Sequence, residues 1–383
     1  MPATDIELIN RAKALVPKIK ARAAETERQR HVPDETLQEL ADAELLQMFV
    51  PKRWGGSEAS LDTMRQVIEA ISSACVSTGW ITAFYAGHNI YVTRFSEQAQ
   101  EELFSPHGYV KMPAATAPNL DARKVEGGWE VSGRAVWGSG VVHADWVQIS
   151  GRVGDSGRSF LIPASEMNMI DTWNFAGAAG TGSNDYSVEK VFVPDHRSLD
   201  LVEFNGGKTE GSSLHDNPLY QAPFLLLAYC TIVPVVTGGV AGARAEFEEM
   251  ISRRVRNFTG VVVKDLQHAH IMLGEMGIRA QVAQEMAQDV YRRADGIVAA
   301  GEFSWDERIA MKGRVAFLSD HCRQSVNAMM MNAGASSYHL DQPLQRYWRD
   351  LNTICSHAFW DWDASREVTG RNMLELPVQY PLV

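Results

Sequence analysis

Basic residues are in deficit. Lysine and arginine number 36 against 47 aspartates and glutamates, a formal charge of −11. Nucleic acid and anionic membranes need a basic face on their partner, so neither is an expected ligand. Cysteine is scarce: Cys75, Cys230, Cys322 and Cys355 stand far apart, with no CxxC pair. Three sit in apolar helical text, where a free thiol acts as a small buried hydrophobe, so reduced cysteines in a cytoplasmic protein are expected. No basic-then-apolar leader opens the chain, and no run approaches the ~18 apolar residues that span a bilayer. Neither export nor membrane insertion is therefore expected. The histidines include no HExxH, and His268 and His270 would face different sides of a helix, so no metal site is expected. No GxGxxG follows a strand, which leaves no evident NAD(P)H site.

What is present is globular material, 45% hydrophobic and 22% charged over 383 residues, enough for one body of two or three subdomains. The first part predicts helices. Pro33 with Asp34 and Glu35 opens one with proline and acids in its first turn, and Leu37, Leu40, Ala41 and Leu45 form its stripe. Residues 51–56 form a turn, and Ser60 restarts a helix toward Ala74. From about 108 the glycines thicken and short β-favouring runs appear at 129–131, 146–149, 159–162 and 188–193.

Beyond a linker or long loop at 205–218 the helical period returns. Leu266, Ala269, Leu273, Met276, Ala280, Ala283, Ala287 and Val290 make one stripe, while Ile271, Ile278, Val282 and Met286 make another on the opposite side. A helix apolar on two faces is expected to be buried on both, as in a four-helix bundle. Ser304 and Glu307 form a capping box that starts the next long helix. The fold class is α+β, mainly α: an N-terminal helical domain (1–107), a central β-barrel or sandwich domain (108–205) and a C-terminal four-helix bundle (206–383).

The densest chemical text runs from Val131 to Gly140 and on to Trp146. A strand pair there would carry Trp137 and Ser139 two residues apart on one face, able to stack against a flat ring and hydrogen-bond to its edge. Four further motifs stand in order around it: the 51–56 turn, Ser77-Thr78-Gly79-Trp80, the 180–185 loop (Gly180, Thr181, Gly182, Ser183, Asn184, Asp185), and the 343–350 segment followed by His357. Together, from about Arg30 to Arg371, they resemble the oxygenase components of two-component flavin-dependent monooxygenases. These are built on the acyl-CoA dehydrogenase fold and include para-hydroxyphenylacetate hydroxylases and steroid-phenol hydroxylases.

The resemblance implies a reduced flavin, FAD or FMN, supplied by a separate NAD(P)H-dependent reductase, with O2 as co-substrate. A C4a-hydroperoxyflavin would hydroxylate a small phenolic or indolic aromatic. Trp137 and Ser139 would flank the ring, with the Ser139 hydroxyl at flavin N5. Gly180, Thr181, Gly182 and Ser183 would offer backbone N–H and hydroxyl groups, and Arg256, or its neighbour Arg253 or Arg254, would reach the flavin phosphates. His357 is the implied acid–base residue, and His88 a second histidine contacting substrate. The stretch around Ala114, Ala115 and Thr116 holds alanines where the para-hydroxyphenylacetate enzyme has a serine near the substrate hydroxyl, which favours a larger or indolic substrate. Glu44 stands where the family usually has glycine, a change expected to be structural. A homotetramer through bundle contacts is also implied.

Three other functions compete. A true acyl-CoA dehydrogenase needs a catalytic carboxylate, but its Tyr-Glu-Gly-Thr text is missing, and residues 356–363 offer only Asp361 and Asp363. Oxidation of nitrogen or sulfur would use the same activated oxygen and tolerate loss of His357. A flavin-free scaffold would have no use for Trp137, Ser139 and the Gly180 loop together.

Overall fold

The computed structural model describes residues 2–256, 258–380 and 382. Helix α1 (Asp5–Gln29) starts at a capping box between Thr4 and Glu7. Helix α2 (Asp34–Asp42) follows Pro33 as expected. Helix α3 (Leu61–Ala74) is capped by the Ser60 hydroxyl, which accepts the Thr63 N–H. Helix α4 (Val76–Val92) is buried almost throughout, and α5 (Glu97–Phe104) closes the first layer. Glu44, just beyond α2, has φ +61. That is the left-handed backbone a glycine would adopt without cost, and the Glu44 carboxylate is held by the Ala3 N–H and by Arg11.

The expected barrel or sandwich takes the form of one seven-stranded mixed sheet. Its strands are β1 (Ala114–Val125), β2 (Gly128–Ala135), β3 (Trp146–Val153), β4 (Ser156–Pro163), β5 (Asn168–Ile170), β6 (Asp185–Pro194) and β7 (Ser198–Asp200). Their order is β5-β6-β2-β1-β3-β4-β7, with β1 and β3 parallel. The strand pair anticipated across 131–146 is therefore not formed, because β1 lies between β2 and β3. The period-2 reasoning fails there too. Strand β2 ends at Ala135, and Trp137 (φ +59) and Gly140 (φ +79) turn the chain out of the sheet.

After α6 (Leu201–Gly206), helices α7 (Phe224–Arg253), α8 (Gln267–Ala300), α9 (Trp305–Ala333), α10 (Pro343–Ile354) and α11 (Trp362–Met373) form the C-terminal layer. Contrary to the sequence expectation, α7 is long and apolar enough to cross a bilayer; 89% of its apolar window is buried inside the chain. The Ser304–Glu307 capping box at α9 is present.

The first α8 stripe is buried as expected, with Ala269, Met276, Ala280, Ala283, Ala287 and Val290 inside. The second is not. Ile271 and Ile278 are 60% and 65% exposed, and Val282 is also exposed. Periodicity identifies an apolar face but not what covers it, and among the described residues nothing covers Ile271 and Ile278 of α8. The exposed stripe, with Arg279 and His321, lines an open depression of about 560 Å3. None of the expected site residues reaches it.

Candidate active site

Helix α4 supplies the first wall. Trp80, Phe84, His88 and Tyr91 recur at intervals of four, four and three, so they share one helical face. Their rings touch in sequence, Trp80 to Phe84 at 4.6 Å, Phe84 to His88 at 4.9 Å and His88 to Tyr91 at 5.1 Å between centroids. Tyr91 meets Phe224 of α7 at 5.4 Å, Phe224 meets Phe359 at 6.0 Å, and Phe359 meets His357 at 5.0 Å. His357 returns to Trp80 at 5.9 Å. The circuit is closed, built from three separate stretches of chain. Of these rings the sequence singles out the two histidines and, within the 77–80 motif, Trp80; the helical spacing on α4 is the available signal for Phe84 and Tyr91.

The two histidines have opposite polarity. His88 is buried and its Nδ1 lies 2.7 Å from the Met112 carbonyl, so Nδ1 carries the proton and Nε2 is left as an acceptor. In His357, Nδ1 accepts the Phe359 N–H at 3.3 Å, which assigns the proton of the neutral ring to Nε2 as a donor. Burial depresses the pKa of both to about 4. Both are neutral at physiological pH. The Met112 carbonyl held by His88 lies just ahead of β1, whose first residues include the half-buried Ala114 and Thr116.

The β layer supplies the second wall. The Asp185 carboxylate takes the Trp137 N–H at 3.1 Å and the Arg134 Nε–H at 3.0 Å, fixing the chain as it leaves β2. Tyr85 donates to the Gly140 carbonyl at 2.6 Å, and the Gly138 N–H bonds the Asn184 carbonyl at 2.9 Å. Trp137 is left 66% exposed with its backbone in the left-handed region. An exposed indole held this firmly offers a platform for a planar ring.

Ser139 belongs to a chain of polar groups. Trp80 Nε1 donates to Ser139 Oγ at 2.9 Å, Ser139 and Ser183 hydroxyls are 2.9 Å apart, and those of Ser183 and Thr181 are 2.7 Å apart. Thr181 ends the chain by donating to the Ala178 carbonyl at 2.8 Å. Thr181 and Ser183 are themselves buried, and Ser139 is half-buried. Gly180 is buried against α1, where a Cβ would come within 2.4 Å of Thr26 Cγ2; packing, not a ligand, demands glycine there. Gly182 has φ +54 and turns the loop back toward β6.

The third layer holds this loop in place. Asp350 of α10 accepts the Ala178 N–H at 2.7 Å, and Arg349 donates to the Ala176 carbonyl at 2.6 Å. Burial raises the Asp350 pKa to about 6. Arg256 stands apart. It is exposed in the loop after α7, its N–H bonded to the Val261 carbonyl at 2.9 Å, and among the described residues no contact joins it to the Ser139 cluster.

The arrangement therefore joins an exposed indole, a half-buried hydroxyl and a closed circuit of rings carrying one acceptor and one donor. That donor set fits a flavin ring beside a small aromatic molecule.

Comparison with known proteins agrees. Residues 8–107 match the acyl-CoA dehydrogenase N-terminal domain family and residues 230–362 the acyl-CoA dehydrogenase C-terminal domain family. The chain is 37% identical to a pigment production hydroxylase of a Rhodococcus species, covering 100% of both chains. It is 31% identical to the oxygenase subunit HsaA, a flavin-dependent monooxygenase of Rhodococcus jostii, over 98% of this chain and 100% of that one. The solved structure of XiaF from a Streptomyces species, in complex with FADH2 and glycerol, superposes with a TM-score of 0.89 at 26% identity, covering 98% and 97% of the two chains. With the three layers, the order of motifs and full-length relatives in accord, the chain belongs to the oxygenase components of flavin-dependent monooxygenases on the acyl-CoA dehydrogenase fold.

Proposed function

We propose that this protein accepts reduced FAD or FMN from a separate NAD(P)H-dependent reductase and inserts one oxygen atom of O2 into a small phenolic or indolic ring. The closed circuit of aromatic rings beside the Ser139 chain carries this reading. Bound reduced flavin supplies two electrons and the activation of O2; the second oxygen leaves as water.

The residues divide the remaining work. Trp137 stacks on the flavin ring and Ser139 meets its N5 edge, while Gly180, Thr181, Gly182 and Ser183 shape the wall behind Ser139. The Trp80, Phe84, Tyr91, Phe224 and Phe359 rings hold the substrate plane and exclude water. His88 Nε2 accepts the hydrogen bond of a phenol O–H or indole N–H, raising electron density on the ring to be attacked. His357 Nε2–H donates to the oxygen that gains charge as the new bond forms. The start of β1 at Ala114 and Thr116, next to the carbonyl that His88 grips, completes the substrate wall.

Arg256, exposed at the chain surface, is assigned to the flavin phosphates of a neighbouring copy. The exposed Ile271, Ile278 and Val282 stripe supports such association, here a homotetramer. Four buried, unpaired cysteines and the need for NAD(P)H support a cytoplasmic setting.

The test is isotopic. The protein, a flavin reductase, NADH and flavin are incubated under 18O2 with a panel of phenols and indoles. The expected result is a product carrying one 18O atom and less peroxide than in the substrate-free reaction. Recovery of all consumed oxygen as peroxide across the panel would overturn the reading.

A further inference from the structure

The chain from Trp80 to Ala178 has a direction, and its far end fixes it. The Ala178 oxygen is a carbonyl and can only accept, so Thr181 spends its proton there. Ser183 must then donate to Thr181, and Ser139 must donate to Ser183. Ser139 also accepts the Trp80 N–H. Its proton is committed inward, and what it has left for a ligand is an acceptor lone pair.

Resting on the flavin reading above, we propose that Thr181 and Ser183 are positioning residues that set the polarity of Ser139 and so make the site select reduced over oxidised flavin. Reduced flavin carries a proton on N5 and can donate to Ser139. Oxidised flavin has a bare N5 and needs Ser139 to donate. Meeting that need reverses the chain and leaves Thr181 Oγ1 and the Ala178 oxygen 2.8 Å apart with no proton between them, both buried. The Ala178 oxygen keeps the Trp173 Nε1–H and the Thr181 N–H, and the cost lies in two buried oxygen lone pairs facing each other at that distance.

Thr181→Val keeps the shape of the side chain and removes the terminal oxygen. Ser183 is then free to donate to Ser139, and Ser139 outward. The variant should bind oxidised FAD or FMN about tenfold more tightly, with reduced-flavin affinity within about twofold of the parent. Anaerobic fluorescence titration with oxidised and with dithionite-reduced flavin measures both. The potential of the bound flavin should fall by about 30 mV, the two-electron equivalent of that ratio. Thr181→Ser should restore the parent ratio. Ser183→Ala cuts the same chain one link nearer and should tighten oxidised flavin likewise, which keeps the test open if Thr181→Val does not fold.

An unchanged ratio, or parallel weakening of both forms, would show a packing role only and overturn the proposal while leaving the flavin reading intact. Failure of the parent protein to bind either form would overturn that reading and the proposal with it.

Discussion

Ser139 has two obligations, to the ligand and to the wall behind it. Its hydroxyl receives the Trp80 N–H and is paired with Ser183, so its removal leaves the Trp80 N–H without its partner and Ser183 bonded to Thr181 alone. Ser139→Ala should lower stability by about 1–3 kcal/mol. On the proposed placement it should also raise the fraction of oxygen released as peroxide while flavin still binds, since one hydrogen bond to N5 would be lost and the Trp137 platform would remain. Peroxide yield per NADH consumed is the readout, and an unchanged yield would remove Ser139 from that role. The ground on which the sequence pairs Trp137 with Ser139 does not hold. Alternation on a strand suggested the pairing, whereas both residues lie beyond β2 and are held by Asp185, Tyr85 and Trp80. The directions of the two histidines were illegible, because a ring tautomer is set by carbonyls and N–H groups that only the fold brings near.

Among elements, the helix caps and four of the strands were readable, and the order of the strands was not. Ser60 and Ser304 cap helices where the text places them, because capping and 3.6-residue periodicity are local. The order β2-β1-β3 joins strands through long-range pairing that no short window encodes. Helix α10 was noted as a motif, but its task emerges from contacts: Asp350 fastens the Ala178 N–H, and Gly177 lets the loop approach so closely that a Cβ would lie 2.1 Å from the Arg349 carbonyl oxygen. Asp350→Ala should cost about 1–3 kcal/mol by stranding a buried N–H, and should weaken flavin binding by loosening the loop that backs Ser139. Asp350→Asn keeps an acceptor and should retain flavin affinity. Thermal melts and flavin titrations of the two variants separate these outcomes; equal flavin affinity in both would mean that α10 does not support the loop.

At the scale of the whole molecule, buried ionisable groups set the response to acid. His88 and His357 have folded pKa values near 4, below the ordinary 6.5. Between those limits the unfolded chain takes up protons that the folded chain refuses, so stability falls as pH drops from about 6.5 toward 4. The loss is on the order of 1.4 kcal/mol per histidine per pH unit. Asp350 acts in the opposite sense. Its folded pKa near 6 exceeds its ordinary 3.8, so its protonation favours the folded state between those values and offsets part of the loss. Burial also lowers the pKa of His143 and His215, which adds to the loss, and raises those of Glu69 and Asp295, which offsets part of it; the histidines outnumber the raised carboxyls, and the melting temperature should decline through that window. Replacing His88 and His357 with glutamine should flatten the decline, and a decline that persists unchanged would place its origin elsewhere. The site has a further consequence for folding. Trp80 and His88 come from the first helical layer, Ser139 and Ser183 from the sheet, and His357 from the last. No two consecutive layers contain all of it, so a partly folded chain offers a ligand only part of its wall. Capture of the ring reports the final docking of three layers, and a saturating ligand acts as a clasp that closes only on a finished molecule.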